Sequence, residues 1–393
     1  MIKPSSMQRT ARSYSATVLK DTFRRWGARV GLIWLVFLVC IAVFAPFIAN
    51  SHPILVSDQG QFYSPLMSHL SFADVGILAA FFVSVLIFKI RLKIYYKFLI
   101  IISFSLFSAL IFSVFSTPPA LVVYEQYREQ EAQAEYDWVI YAPIPYSPKD
   151  YLRDEGDTSF QSPLTDEART HLFGTEENGA DVLSRMVHAS RIALAIGFIA
   201  TGIAMLLGII LGGLMGFFSG IIDLIGMRLV EIFEAIPTLF LLLTFIAFFG
   251  RSLYIMMIII GLTSWPGYAR YIRAEFLRLR QQDFVQAAIA SGLPLWSVLF
   301  RHMLPNGIAP VLVAASFGVA SAILAEATLS FLGLGLVDDP SWGQMLNQAV
   351  RSSTFNWWMA VFPGGAIFLT VFAYNLVGEA MRDAIDPYLE KNG

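Results

Sequence analysis

The sequence predicts an all-α membrane protein, a polytopic helix bundle of about eight transmembrane helices, on three observations. Of its 393 residues, 56% are hydrophobic and only 14% charged, at a mean hydropathy of +0.62, whereas a soluble domain carries about 25% charge. The apolar residues gather into uncharged runs long enough to cross about 30 Å of hydrocarbon at about 1.5 Å per residue. Between the runs, basic linkers alternate with acid-rich ones, and the basic ones belong on the cytoplasmic side. A net charge of −2 gives no reason to expect nucleic acid as a partner. The one cysteine, Cys40, rules out an intrachain disulfide or a cysteine metal cluster. His52, His69, His171, His188 and His302 include no i, i+4 pair, so no metal site is expected.

In chain order, a basic tail over 1–29 sets Lys3, Arg9, Arg12, Lys20, Arg24, Arg25 and Arg29 against Asp21, which predicts a cytoplasmic N-terminus. The run 30–48 is longer and begins later than a signal-peptide core, so it is expected as an uncleaved first transmembrane helix. Residues 50–74 hold Asp58 and Asp74 and no lysine or arginine, an outer loop. An inserted hairpin over 75–115 follows, its two apolar runs joined by Lys89, Arg91, Lys93 and Lys97 on the inner side. Segment 117–189 carries fourteen acids against five bases, an acidic outer loop, and Pro143, Pro145 and Pro148 favour extended chain in its middle. It reads as a solvated loop or as a platform for an external partner. Asn178-Gly179 marks a turn. From Asp181 a pre-core amphipathic helix is expected to lay Val182, Met186 and Ile192 at the interface before the next span.

The core is expected over 190–387. Gly208, Gly212, Gly216 and Gly220 recur every four residues on the span 192–218 and its end, one helix face open to close packing rather than a transport role. Asp223, Arg228, Glu231 and Glu234 make a mixed-charge inner segment, and Pro237 falls near the start of the span 236–249. The span 253–269 returns to the inside with Trp265 and Tyr268 as interfacial anchors. Arg270, Arg273, Arg278, Arg280 and Arg301 against Glu275 and Asp283 then mark a cytoplasmic segment. Glu326, in the span 308–331, is a costly intramembrane carboxylate and so a candidate for the transport pathway or for hydrogen bonding within the bundle. Trp357 and Trp358 anchor the last span, 359–377, and the tail returns to the cytoplasm.

The stretch DFVQAAIASGLPLWSVLFRHMLPN, from Asp283 to Asn306, is a helix-prone insert on the inner side. Ala287 and Ala288 let another surface approach its backbone, Gly292 can end the helix in a turn, and Leu304-Pro305 can fix where the next helix starts. Its physical reading is a cytoplasmic elbow shaped to fit a partner's groove.

Those residues also resemble the coupling loop of ABC-importer permeases, with Gln286 where that family has glutamate. Residues 174–197, GTEENGADVLSRMVHASRIALAIG, resemble the stretch ahead of the core in the dipeptide and oligopeptide branch, with Glu176 in place of aspartate. Glu326 with LSFLGLG at 329–335 and PSWG at 340–343 resembles the second-type permease of dipeptide, oligopeptide and nickel importers, as does the tail at 378–387, with Glu379 where aspartate is common. HPILV at 52–56, FYSPL at 62–66 and WVIYAP at 138–143 are similar to Yej-type peptide and microcin permeases, a likeness the hairpin interrupts.

The resemblance implies a type I ABC-importer permease core with a cytoplasmic coupling helix over 283–305, in the bacterial inner membrane with both termini cytoplasmic. It implies a second homologous permease, two ATPase subunits touching Gln286, Ala287, Ala288, Gly292, Leu304 and Pro305, an external substrate-binding protein and a short peptide as cargo. A nickel chelate or a microcin is the alternative cargo. No GxxxxGK[ST] phosphate loop occurs, so no catalytic residue or cofactor is expected here and ATP is the partner's. A secondary transporter or channel would need coupling groups within the membrane, and Glu326 alone answers to that.

Overall fold

A computed structural model describes residues 21–115, 122–164, 171–336 and 339–385. The basic tail as far as Lys20, the start of the acidic segment, Asp166, Glu167 and Arg169 within it, and the end of the C-terminal tail lie outside the described residues. The chain runs α1 (Trp26–Ile48), β1 (Leu55–Asp58), β2 (Gln61–Tyr63), α2 (Pro65–His69), α3 (Phe72–Phe88), α4 (Ile94–Phe115), α5 (Gln126–Ala132) and β3 (Trp138–Ile140). It continues through α6 (Val182–Phe218), α7 (Gly220–Ala235), α8 (Thr238–Phe249), α9 (Leu253–Leu279) and α10 (Asp283–Ala290). A π-helical stretch (Ser297–Met303) leads into α11 (Leu304–Gly307), α12 (Ala309–Phe331), α13 (Trp342–Arg351) and α14 (Trp357–Ile385).

Five of these, α1, α4, α6, α12 and α14, are long and apolar enough to cross a membrane, and α7 with α8 makes a sixth, bent by 84° at its break. The other two expected spans are α3, shorter at 17 residues, and α9, apolar through Leu262 and more polar beyond. The expected all-α polytopic class holds.

α6 is 37 residues long, about 55 Å at 1.5 Å per residue. The separate amphipathic helix expected from Asp181 is therefore its first turns. No proline or glycine precedes Gly197 to break it, and Val182 and Ile192 are buried in protein rather than laid on the interface. Asp181 caps it, accepting from Ser184 N–H at 2.8 Å.

α9 lies against the glycine row of α6. A β-carbon at 212 would stand 2.9 Å from Ala269 Cα, and one at 216 would stand 2.6 Å from Arg273 O and from Phe276 Cβ. Gly208 meets Ala269 N in the same way. Gly220 leaves the row: α6 ends at Phe218, and Ser219 and Gly220, at φ +50° and +58°, turn the chain into α7. Trp265 and Tyr268 are buried, not interfacial. Trp265 meets Phe233 edge-on at 5.5 Å, and Tyr268 faces Gly208.

α12 packs between α6 and α14, and α14 in turn packs on α1. Leu38, Ala193, Ile323, Trp342 and Ile367 join these elements in one apolar core. Trp358 is tied to the segment ahead of α6, its Nε1 donating to Thr175 O at 3.1 Å, while Trp357 stays half exposed. The hairpin α3–α4 sits outside this bundle. α3 touches α1 through Phe44 and Phe81, Ser105 Oγ donates to Gly76 O at 2.6 Å, and α4 buries nothing.

The polar segments expected on the outer side are folded. β2-β1-β3 form an antiparallel sheet, and the chain after β3 bridges Ile144 to Ala49 at the end of α1. Arg128 binds Asp150 at 2.6 Å and Asp154 at 2.7 Å, both its own side chain and that of Asp150 being buried. Ser51 also donates to Asp150, at 2.5 Å.

Candidate functional site

Two features stand out: the elbow after α9 and a cavity between α6, α9 and α12. In the elbow, Val285 and Ala288, three residues apart on α10, turn inward and are buried, leaving Gln286, Ala287, Ile289 and Ala290 outward. Gln286 Nε2 donates to Arg280 O at 2.6 Å, fastening α10 to the end of α9.

Gly292 closes α10 with two backbone bonds. Its own N–H reaches Ile289 O at 2.9 Å and that of Leu293 reaches Ala288 O at 3.3 Å, the paired bonds of a Schellman corner, which demand a left-handed residue at the glycine position. Its φ is +70°, and no atom lies within 4 Å of where a β-carbon would be. Backbone strain rather than crowding therefore reserves this position for glycine.

On both sides of the corner, Phe284, Ile289, Leu293, Leu295 and Trp296 leave an exposed apolar rim, Trp296 being 71% exposed. The chain then takes a π turn in which Leu304 N–H reaches back five residues to Leu299 O. Pro305 falls in the first turn of the one-turn helix α11, exposed, with Leu304 half-buried. The following span begins later, at Ala309 with Pro310 in its first turn, so Pro310 and not Pro305 stands where that helix starts. Pro305 has no N–H to give, and the ladder restarts only after Ile308.

Three arginines leading into the elbow are paired. Arg273 binds Asp223 bidentately, one contact at 2.6 Å, Arg270 binds Glu234, and Arg278 binds Glu275 at 2.7 Å. Arg280 Nη1 donates to Phe217 O at 3.1 Å at the end of α6. α7 is thereby clamped to α9, a pairing about 50 residues apart in sequence that no local pattern announces. Pro237 is the N-cap of α8, at the 84° bend.

The cavity has a volume of about 440 Å³. Thr201 of α6, Ser264, Tyr268 and Tyr271 of α9, and Phe317 and Ser321 of α12 contribute to its wall, and no charged residue does. Glu326 lies one turn beyond Ala322 on α12, outside this wall. It is 2% exposed and accepts from Ser330 Oγ at 2.6 Å, within the bundle. Gly208, Gly212 and Gly216 serve helix packing, as their contacts show. Apart from Tyr268, expected as an interfacial anchor, the cavity residues went unnoticed in the sequence because isolated hydroxyls in apolar runs carry no pattern. What unites Thr201, Ser264, Tyr268 and Ser321 is that three different helices bring them to one cavity.

Residues 192–391 match the model of the family described as binding-protein-dependent transport system inner membrane component. Residues 13–65 match that of the N-terminal TM domain of oligopeptide transport permease C. A dipeptide transport system permease protein of Alkalihalophilus pseudofirmus is 34% identical over 252 residues, 64% of this chain and 81% of its own. An oligopeptide transport system permease protein of Escherichia coli K12 is 36% identical over 251 residues, 64% of this chain and 82% of its own. A solved structure of an inward-facing MetNI methionine ABC transporter covers 52% of this chain and 98% of its own, at a TM-score of 0.42 and 18% identity. The hairpin and the acidic outer segment lie between the two family matches.

Proposed function

The chain belongs to the family of binding-protein-dependent transport system inner membrane components, as an ABC-importer permease of its peptide and oligopeptide branch, and we propose that it carries short peptides, driven by ATP hydrolysed on separate subunits. In this reading it pairs with a second permease, two ATPase subunits seat on the cytoplasmic elbow, and an external binding protein delivers the peptide. The N-terminus and the end of α14 then lie on the ATPase side.

The observation that supports the coupling reading is the elbow itself. Gln286 and the Gly292 corner hold a short, small-residue helix rigidly against α9, and beside it Trp296 and Leu293 are exposed. A groove that closes on α10 would push α9 directly, and α9 lies on the glycine row of α6. Alternating access then follows as a rigid-body tilt of helices whose two positions differ in contacts with the ATPase pair. The wall of the cavity carries hydroxyls and aromatic faces without charge, suited to peptides of varied side chains.

The test is co-purification. The tagged chain, expressed with its partner subunits and extracted in mild detergent, should bring down an ATPase that Gly292→Arg releases while the membrane bundle stays folded. A chain that purifies alone and transports in liposomes without ATP would overturn the reading.

A further inference from the structure

Tyr268 is held at both ends by missing side chains. Its Cβ would collide with a β-carbon at Gly208 on α6, and its hydroxyl oxygen would collide with one at Gly318 on α12. The ring thus crosses from one helix to the other along the wall of the cavity, which Gly318 and Thr201 also line. Tyr268 is 6% exposed, while Tyr271, one turn on along the same helix, is 52% exposed. Two glycines on two helices, each matched to one end of the same side chain, form a seat.

We infer that Tyr268 is a gate of this cavity, its seat at Gly318 keeping the ring out of the space through which cargo passes. The inference rests on the transport reading above. α6, α9 and α12 meet at this residue, so a change in their spacing unseats it, and the adjoining void that can receive the ring is the cavity. Opening and closing of the path are then tied to helix motion through one aromatic side chain.

The seat makes a prediction that bulk packing does not. A β-carbon at 318 collides with the hydroxyl oxygen of Tyr268, but its next neighbours are Tyr268 Cζ at 3.1 Å and Thr201 Cγ2 at 3.3 Å. Gly318→Ala should therefore displace the ring into the cavity, and Tyr268→Phe, which removes only that oxygen, should let the ring back with a small adjustment. A change that harmed the fold in general would not be repaired by deleting one oxygen.

The measurement is the rate at which N-ethylmaleimide labels Ser321→Cys in a Cys40→Ser background, in membranes holding the full chain and its partner subunits. Gly318→Ala should slow labelling about tenfold, and adding Tyr268→Phe should return it to within about threefold of the parent. Equal labelling in parent and Gly318→Ala, or a double variant as slow as the single, overturns the gate. Should Gly318→Ala fail to reach the membrane, Tyr268→Ala, which leaves no ring to swing into the cavity, must label at least as fast as the parent, and slower labelling overturns the proposal. ATP-dependent uptake of trialanine, followed in the same membranes, separates the two readings. Labelling that follows the pattern while the parent takes up no peptide strikes the cargo assignment and leaves the gate supported.

Discussion

Asn50 Oδ1 decides the chemistry of His52. It accepts from the His52 backbone N–H at 3.0 Å and from Ser147 Oγ at 3.1 Å, and it lies 2.9 Å from His52 Nδ1. An amide oxygen can only accept, so Nδ1 carries the hydrogen and Nε2 is a bare lone pair, buried without a partner. The ring stacks on His69 at 3.8 Å with Tyr124 and Tyr127 around it. Burial first, and then the His69 imidazole, push the His52 pKa down to about 4 against the pull of Asp150. The folded value lies below the unfolded one, so the unfolded chain binds more protons between them. The stability held above about pH 6.5 is then lost as pH falls toward 4, about 3 kcal/mol from this group. Thermal unfolding in detergent should show that loss between pH 7 and 4.5, and His52→Asn, which keeps a donor toward Asn50 but does not titrate, should flatten it. An unchanged pH profile in that variant would refute the assignment.

The same residue shows where a sequence stops being legible. Gly292 could be read because its role is local: a helix end needs a left-handed residue, and both bonds of the corner fall within five positions. His52 with His69, Tyr268 with Gly318, and Asp223 with Arg273 are set by how distant turns are stacked, and no periodicity records that. Glu326 could be read as buried and hydrogen-bonded or as part of a path. Only the position of the cavity wall relative to α12 separates the two.

Among elements, the α6–α9 pair carries the most contact, and its closeness depends on backbone meeting backbone. Gly212→Val would drive a side chain into Ala269 Cα, 2.9 Å from the β-carbon, and a main chain inside a helix cannot step aside. We expect a loss of about 3 kcal/mol or more, seen as a lower melting temperature in size-exclusion thermal assays. Gly202 is on the same helix with nothing within 4 Å of its β-carbon, so Gly202→Val should melt within a few degrees of wild type. Equal effects at the two positions would mean that the row does not hold α9. The four-residue step made this row visible in the sequence as far as Gly216. Its end was not visible, because Gly220 continues the spacing while Ser219 has already turned the chain.

At the scale of the whole molecule, the core closes without the hairpin. α4 buries no residue, and α3 is fixed to the bundle at one edge, by its contacts with α1 and by Asp74 on Arg191. Arg191 keeps Ala42 O and Val43 O as partners without Asp74. Replacing 72–121 with a short linker should therefore leave a folded bundle that still binds its ATPase, because the rings of His69 and Tyr127, on either side of the excision, already lie 6.5 Å apart. Aggregation of that variant in detergent would show instead that the hairpin is part of the core.

The length of α6 has a mechanical meaning. Its first turns are bolted to the segment ahead of it, where Ser184 Oγ donates to Tyr146 O at 2.7 Å, and Phe217 O at its end accepts from Arg280 beside the elbow. No proline interrupts it, so in the transport reading proposed above it would act as a seesaw beam about 55 Å long, on which a tilt of about 10° about the middle carries each end about 5 Å in opposite directions. A push delivered at the elbow would then be felt at the far end of α6 in the same stroke, with no relay of side chains between.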